Sequence, residues 1–283
     1  MRRVYTVLFL LFSFRPVIAD EVILQHDGLT LNAELILAEG RIIPDGVIVM
    51  LHGTLGHSGM EIMSALQTLF AENGRNSLAI NLSLDVNDRH GFLPCDVQHT
   101  HTMEDASEEL SVWLTWLQSI DVGKIVLLGH SRGGNQIARF IIDRKPDIAA
   151  AVLIAPSSGG DAVTESNTPV LQHASQEEWL QDVAFLHCSG ATVSAESYLS
   201  YYGPATRINT PLLLRFIDIP VLVFSGTDDT VVPDLPELMK TVSRTNVLFE
   251  ELEGADHFFR DLYIDDIVDT SIEFISNIDQ MQD

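Results

Sequence analysis

Short apolar runs recur along the chain, each separated from the next by enough residues for one helix. GVIVMLH (46–52), SLAINLS (77–83), KIVLLGH (124–130), AAAVLIAP (149–156), IPVLVFSG (219–226) and NVLFEEL (246–252) read as strands, the first as one buried on both faces. Between them the period changes to that of a helix. Ile62, Leu66, Leu69 and Phe70 share one face of 60–72. Leu110, Trp113, Leu114 and Leu117 form the stripe of another helix, whose start is marked by the capping pair Thr102 and Asp105. Helices are also predicted over 132–144, closed by Pro146, and over 262–278. LTLNAELIL (29–37) alternates and suits an antiparallel edge strand. Strands alternating with helices predict a mostly parallel sheet covered on both faces.

One interval breaks the rhythm. The 62 residues between Pro156 and Ile219 hold no strong buried strand. They contain helical candidates at 176–187 and 194–202 and the aromatic residues Trp179, Phe185, Tyr198, Tyr201 and Tyr202. A loop this long is rarely structureless in a compact domain. The expectation is a cap inserted over one end of the sheet, its aromatic residues packing it onto the core or facing a ligand.

The start of the chain has a different character. MRRVYTVLFLLFSFRPVIAD has basic residues, an apolar run from Val4 to Phe14, and Val17 and Ala19 before a cleavage point after Ala19. Residues 1–19 therefore read as a secretory signal peptide, with an uncleaved anchor as the alternative. The organisation expected is a signal at 1–19, a core at 20–156 and 216–283, and a cap at 157–215. The mature chain would be exported, periplasmic or secreted, with no stable membrane span after processing.

Composition is that of a globular chain: 283 residues, 46% hydrophobic and 20% charged. Its 16 basic and 40 acidic residues give a net charge of −24. Such a surface disfavours nucleic acid and anionic lipid as partners. Export would let Cys95 and Cys188 form a bridge, the alternative being two separate buried thiols. Oligomeric state is left open.

Candidate chemistry centres on LLGHSRGGNQ (127–136). Gly129-His130-Ser131-Arg132-Gly133 fits G-x-S-x-G between a predicted strand and a predicted helix, the context of a nucleophile elbow. Serine needs a base, and His257 lies between the last strand and the last helix. The base needs an acid, and SGTDDTVVP offers Asp228 and Asp229 after the fifth run. The chain order Ser, Asp, His differs from the orders of the two protease triads. His52-Gly53-Thr54 follows the first buried strand, so the backbone N–H groups of Thr54 and Arg132 are candidates for an oxyanion hole. His52 itself reads as a structural brace.

These segments together resemble the α/β-hydrolase superfamily over nearly all of residues 22–283, with the cap matching least. The chain is also similar to uncharacterised exported bacterial members. The resemblance implies a three-layer sandwich with a mostly parallel sheet of about eight strands and a small inserted cap. It points to Asp229, four residues before Pro233, over Asp228, and leaves Asp161 as an outside candidate. It implies hydrolysis of a carboxylic ester-type bond through an acyl-enzyme, with no cofactor required and a small-molecule ester or thioester as partner. A thioesterase or acyltransferase would use the same three residues, and a non-catalytic binding protein on this fold is the alternative of another class. A serine at the elbow disfavours dehalogenase and epoxide-hydrolase chemistry, which in this superfamily uses aspartate there.

The loop NDRHGFLPCDVQHTHTMED remains. It carries His90, His99 and His101 with Asp88, Asp96 and Cys95, side chains that suit zinc, but at no recognised ligand spacing. The loop is expected to shape the pocket rim, and a Cys95–Cys188 bridge would tie it to the cap. Arg132 is expected to pair with an acid on so acidic a chain, or else to face the substrate.

Overall fold

The computed structural model describes residues 19–159, 168–174, 176–203 and 208–282. The predicted signal segment lies outside them except for Ala19. Eleven strands are β1 (Ala19–His26), β2 (Leu29–Ile36), β3 (Val47–Leu51), β4 (Ser77–Ile80), β5 (Gln98–His99), β6 (Ile125–His130), β7 (Ala150–Ile154), β8 (Trp179–Phe185), β9 (Cys188–Ser194), β10 (Val221–Gly226) and β11 (Val247–Leu252) among the described residues. The helices are α1 (Glu61–Glu72), α2 (Met103–Ser119), α3 (Arg132–Arg144), α4 (Thr168–Ala174), α5 (Ala195–Tyr202), α6 (Thr210–Leu214), α7 (Leu235–Met239) and α8 (Tyr263–Gln282).

The central sheet has eight strands in the order β1-β2-β4-β3-β6-β7-β10-β11. From β4 to β11 neighbouring strands are parallel; β1–β2 and β2–β4 are antiparallel. The apolar runs explain the centre of this sheet. Every residue of β3, β6, β7 and β10 is buried, because helices cover both faces. Each such Val, Leu or Phe stabilises the fold by about 1.5–3 kcal/mol relative to exposure. Helix α1 packs on α8 and α2 on α3. With the right-handed crossovers that such parallel connections follow, the strand order puts these pairs on opposite faces. Trp113 and Leu117 of the α2 stripe are fully buried, and Thr102 caps the helix by accepting from the N–H groups of Glu104 and Asp105.

Two expectations are corrected. Residues 29–37 are antiparallel, as the alternation suggests, but β1 lies outside β2 and forms the edge. Residues 176–187 are not a helix: β8 and β9 make a hairpin through Leu186 and His187. The register of β8 shifts between Leu180 and Val183 and again between Val183 and Phe185, and Asp182 has φ +52°. Those irregularities break the two-residue alternation and leave apolar spacing that imitates a helix. The second helical candidate of this interval is α5, starting one residue later than expected.

The hairpin joins a small second sheet in the order β5-β9-β8. β5 belongs to the histidine-bearing loop, and Cys95 of that loop is disulfide-bonded to Cys188 at the start of β9. Loop and hairpin are thus held together twice.

Candidate active site

The parallel strands turn in opposite directions at one point. From β3 the chain moves outward to β4, and from β6 it moves the other way to β7, with β3 and β6 adjacent. The crevice at the carboxyl ends of β3 and β6 is therefore the switch point of the sheet, where such folds bind ligands. The loop 52–54 leaves β3 there, and Ser131 follows β6.

Ser131 is the residue between β6 and α3, with φ +55° and ψ −122°. This left-handed backbone is costly for a side-chain-bearing residue and is held by its surroundings. The turn is so tight that a Cβ on Gly129 would lie 2.6 Å from the backbone of Gly133. A Cβ on Gly133 would in turn lie 2.5 Å from the carbonyl oxygens of Leu51 and His52. Both glycines are thus required by close approach. The hydroxyl of Ser131 makes no capping bond to α3, although the residue occupies the N-cap position. It is instead 3.0 Å from Nε2 of His257.

His257 follows β11, in the loop before α8, and its ring is nearly buried. Its Nδ1 lies 2.8 Å from Oδ2 of Asp229, which follows β10. The other carboxylate oxygen accepts from the N–H groups of Val231 (2.7 Å) and Val232 (3.0 Å). Burial alone would raise the pKa of Asp229. The hydrogen bonds from His257, Val232 and Val231, with the charge of His257, outweigh it and hold the carboxyl below its ordinary range. An ionised acid on Nδ1 fixes the tautomer with the proton on that nitrogen, so Nε2 is the acceptor facing Ser131. Asp228 is exposed, and its carboxylate accepts only from the Thr227 hydroxyl among the described residues. Asp161 lies outside the described residues.

Thr54 and Arg132 both line the cavity above Ser131, whose volume is ≈ 400 Å³. The N–H of Arg132 is among the first of α3 and has no acceptor within the helix, so it is available to an anion there. The Arg132 side chain, expected to meet an acid, forms no ion pair among the described residues. Its Nε donates to Oγ1 of Thr54 at 3.1 Å, and its guanidinium lies over the ring of Tyr201.

His52 does not reach the cavity; it is a brace. Its Nδ1–H donates to the Gly53 carbonyl (2.8 Å) and its Nε2 accepts from the N–H of Leu82 (3.1 Å). Burial, then the charge of Arg89, lowers its pKa to about 3.

Several residues of the site carry no signal in the sequence spacing. His130 is the variable position of the pentapeptide, yet its Nε2–H donates to the carbonyl of His257 at 2.9 Å. It thereby ties the backbone of His257 to the turn at Ser131. Burial, then the nearby His257, lowers its pKa to about 4, so it stays neutral. Arg89, buried in the histidine-bearing loop, donates to the carbonyls of Leu82 (2.8 Å) and Gly56 (2.7 Å) and links the loops after β3 and β4. A cluster of polar residues between two strands was the one available hint. Leu186 and His187 reach the cavity from the hairpin tip, which the helix-like spacing concealed.

The histidines of that loop separate. His90 faces Asp88 and Glu21 at the surface. His99 and His101 are buried, 3.3 Å apart, with Nδ1 of His101 2.9 Å from the Tyr201 hydroxyl. With Cys95 in the disulfide, the loop's own side chains do not gather into a ligand set among the described residues.

Comparison with known proteins agrees with this fold. Among curated proteins, the chain is 26% identical over 204 residues to a non-heme chloroperoxidase of Streptomyces lividans, covering 60% of this chain and 73% of that one. Among solved structures, it resembles the alpha/beta hydrolase GrgF from Penicillium sp. sh18 (TM-score 0.69, 20% identity, 92% of this chain and 99% of the other). It also resembles the monoacylglycerol lipase of Paleococcus ferrophilus (TM-score 0.66, 19% identity, 88% and 99%). The model of the alpha/beta hydrolase family matches residues 48–269. With its eight-stranded, mainly parallel sheet and a match over most of its length, the chain belongs to the alpha/beta hydrolase family.

Proposed function

We propose that this protein is a serine hydrolase that cleaves a carboxylic ester-type bond through an acyl-enzyme. The observation that carries the reading is His257, hydrogen-bonded to Ser131 Oγ on one side (3.0 Å) and to Asp229 on the other (2.8 Å). In this reading His257 takes the proton of Ser131 as Oγ attacks the carbonyl carbon. Asp229 holds the ring and stabilises the imidazolium that forms. The oxyanion of the tetrahedral intermediate accepts from the N–H groups of Thr54 and Arg132, at the positive end of α3. The proton then passes from His257 to the leaving alcohol. Water, deprotonated by the same nitrogen, releases the acid and restores Ser131.

A fluorophosphonate probe tests this directly. The mature protein should be labelled at Ser131 and the Ser131→Ala variant should not. A screen of esters and thioesters of graded acyl length then separates esterase from thioesterase, and added alcohols reveal acyl transfer. An unlabelled Ser131, with no ester or thioester turned over, would favour the binding-protein alternative.

The same reading places the protein outside the cytoplasm, which the Cys95–Cys188 disulfide supports. Intact-mass measurement of the exported chain should give residues 20–283; a retained 1–19 would favour an anchored form.

A further inference from the structure

The wall of the Ser131 cavity carries a charge that ester cleavage itself does not use. None of the described residues lining this cavity is acidic, although acids outnumber bases 40 to 16 in the chain. Among these described residues the one lining side chain with a permanent charge is Arg132. It is only 8% exposed, and no carboxylate among the described residues comes within ion-pair distance of it. Holding a guanidinium out of water without a counter-ion is unfavourable. Of its five N–H donors, Nε uses one on Thr54 Oγ1, and the face of the group rests on Tyr201. The edge formed by the two terminal nitrogens suits a planar, bidentate acceptor.

A second donor stands nearby. His187, at the hairpin tip, lines the same cavity, and burial followed by the charge of Arg132 lowers its pKa. The residue is exposed, and its imidazole can offer an N–H there. Met60, Phe92, Leu186, Val231 and Phe258 give the lining its apolar part. Met60, Phe92 and Phe258 also line an adjoining cavity of ≈ 370 Å³, whose other walls include Ala65, Phe259 and Ile264 but also His57, Glu61, Arg260 and Asp261. The site thus has a cationic wall beside the oxyanion residues and an apolar stretch at Met60, Phe92 and Phe258 away from them. On a chain of net charge −24, long-range steering repels an anion, so recognition of one must be local.

We propose that Arg132 is the specificity-determining residue for an anionic substituent on the substrate, a single carboxylate a few carbons from the scissile carbonyl, with the apolar remainder lying along Met60, Phe92 and Phe258. The substrate class is a monoanionic ester, such as the half-ester of an aliphatic dicarboxylic acid. One fixed positive charge matches one carboxylate and leaves the dianion of a phosphate monoester under-neutralised. This inference rests on Ser131 acting as the nucleophile.

The test is the ratio of kcat/KM for two 4-methylumbelliferyl esters of equal length, the hemiadipate and the hexanoate. Wild-type enzyme should prefer the hemiadipate by about 10–100-fold, the scale of a charge-assisted hydrogen-bond pair. Arg132→Met should bring the ratio to one or below, and Arg132→Lys should retain part of it. The ratio cancels any general loss from the missing Thr54 contact, which both esters share. A wild-type ratio of one, or a ratio unchanged in Arg132→Met, overturns the proposal. Should neither ester turn over, calorimetric binding of the same two esters to Ser131→Ala, with and without Arg132→Met, applies the same criterion. Tighter binding of the hemiadipate that depends on Arg132 supports the anion site, and equal affinities overturn it. Fluorophosphonate labelling of Ser131 independently reports whether the hydrolase reading stands.

Discussion

Ser131, Asp229 and His257 follow the ends of β6, β10 and β11, whereas Leu186, His187 and Tyr202 reach the same cavity from the hairpin and helix of the 157–215 interval. The first group is positioned by backbone packing without slack. The φ of Ser131, the glycine contacts beneath it and the carboxylate pinned by Val231 and Val232 leave little room to move. The second group is positioned by cross-links. A disulfide, a two-residue parallel pairing of β5 with β9, and the N–H of Leu186 donating to the Tyr202 hydroxyl (2.6 Å) hold the tip in place. Reaction geometry that tolerates errors of a few tenths of an ångström belongs on the rigid set. Surfaces that choose among substrates can sit on the tethered set and vary without disturbing the sheet.

The largest effects should follow from breaking the rigid set. Ser131→Ala and His257→Ala are each expected to lower turnover by about 10⁴–10⁶-fold with the fold intact, since such residues act as a unit. Steady-state kinetics and circular dichroism on any ester the protein turns over check both parts. Wild-type turnover in Ser131→Ala would remove the elbow from the chemistry altogether.

The two adjacent acids give the next effect. Asp229→Asn should cost roughly 10³–10⁴-fold, because an amide can stabilise the wrong tautomer of His257, as the same change does in the triad of a serine protease. Asp228, exposed and bonded through its side chain only to Thr227 among the described residues, should cost less than about tenfold when changed to Asn. Kinetics of the two single variants on one ester decide between them. The reverse ranking would move the role to Asp228, and two mild effects would return attention to Asp161.

The same division governs what could be read from the sequence. The buried strands were legible because a strand covered on both faces must be apolar throughout. The elbow was legible because only glycine fits at 129 and 133, and the N-terminus of α2 because Thr102 and Asp105 cap it by a local rule. These are short-range constraints. The hairpin was not legible, since its bulges erase the alternation on which a strand is recognised. β1 also escaped, because an exposed edge strand needs no buried run. His130 on the His257 carbonyl and Arg89 between two loops depend on contacts 127 and 33 residues apart along the chain. No local pattern announces such contacts. The expected acid partner of Arg132 is not found among the described residues for a related reason: overall acidity says where charges lie on a surface, and this guanidinium lies in a cavity whose described lining holds no acid.

Cutting the tether sharpens the comparison. The loop between Cys95 and Cys188 spans 93 residues, so the bridge stabilises by up to about 4–5 kcal/mol in the chain-entropy picture. Cys95→Ser with Cys188→Ser should lower the melting temperature by roughly 10 °C. Hydrogen exchange should speed up first at 188–194, ahead of β6 and β7. Simultaneous loss of protection in β6 and β7 would mean that the two sheets unfold as one unit.

Stability should also respond to mild acid, and the sign of the response follows from the buried histidines. His52 and His130 in the rigid set and His101 in the tethered set have pKa values lowered to about 3, 4 and 3, chiefly by burial. Unfolding returns each to about 6.5, so between pH 6.5 and 4 the unfolded chain binds more protons than the folded one. Stability contributed by neutral burial is therefore complete above pH 6.5 and is lost as pH falls toward 4. Glu109 opposes this. Burial raises its pKa to about 7 despite two hydrogen bonds from Ser83, so the folded state holds its proton where the unfolded chain, near pH 4.5, releases it. These three against Glu109 leave up to two protons, a loss on the order of 2–3 kcal/mol per pH unit at the steepest, to which the lowered His57, His99 and His187 add and the raised Asp105 runs counter. Melting temperatures measured between pH 7 and pH 5 at constant ionic strength should fall steadily. His101→Asn should remove one proton from that slope without touching the rigid set, and Glu109→Gln should steepen it. A melting temperature that is flat or rises toward pH 5 would show that these histidines are not held neutral, and with them the fixed tautomers of His52 and His130 would go.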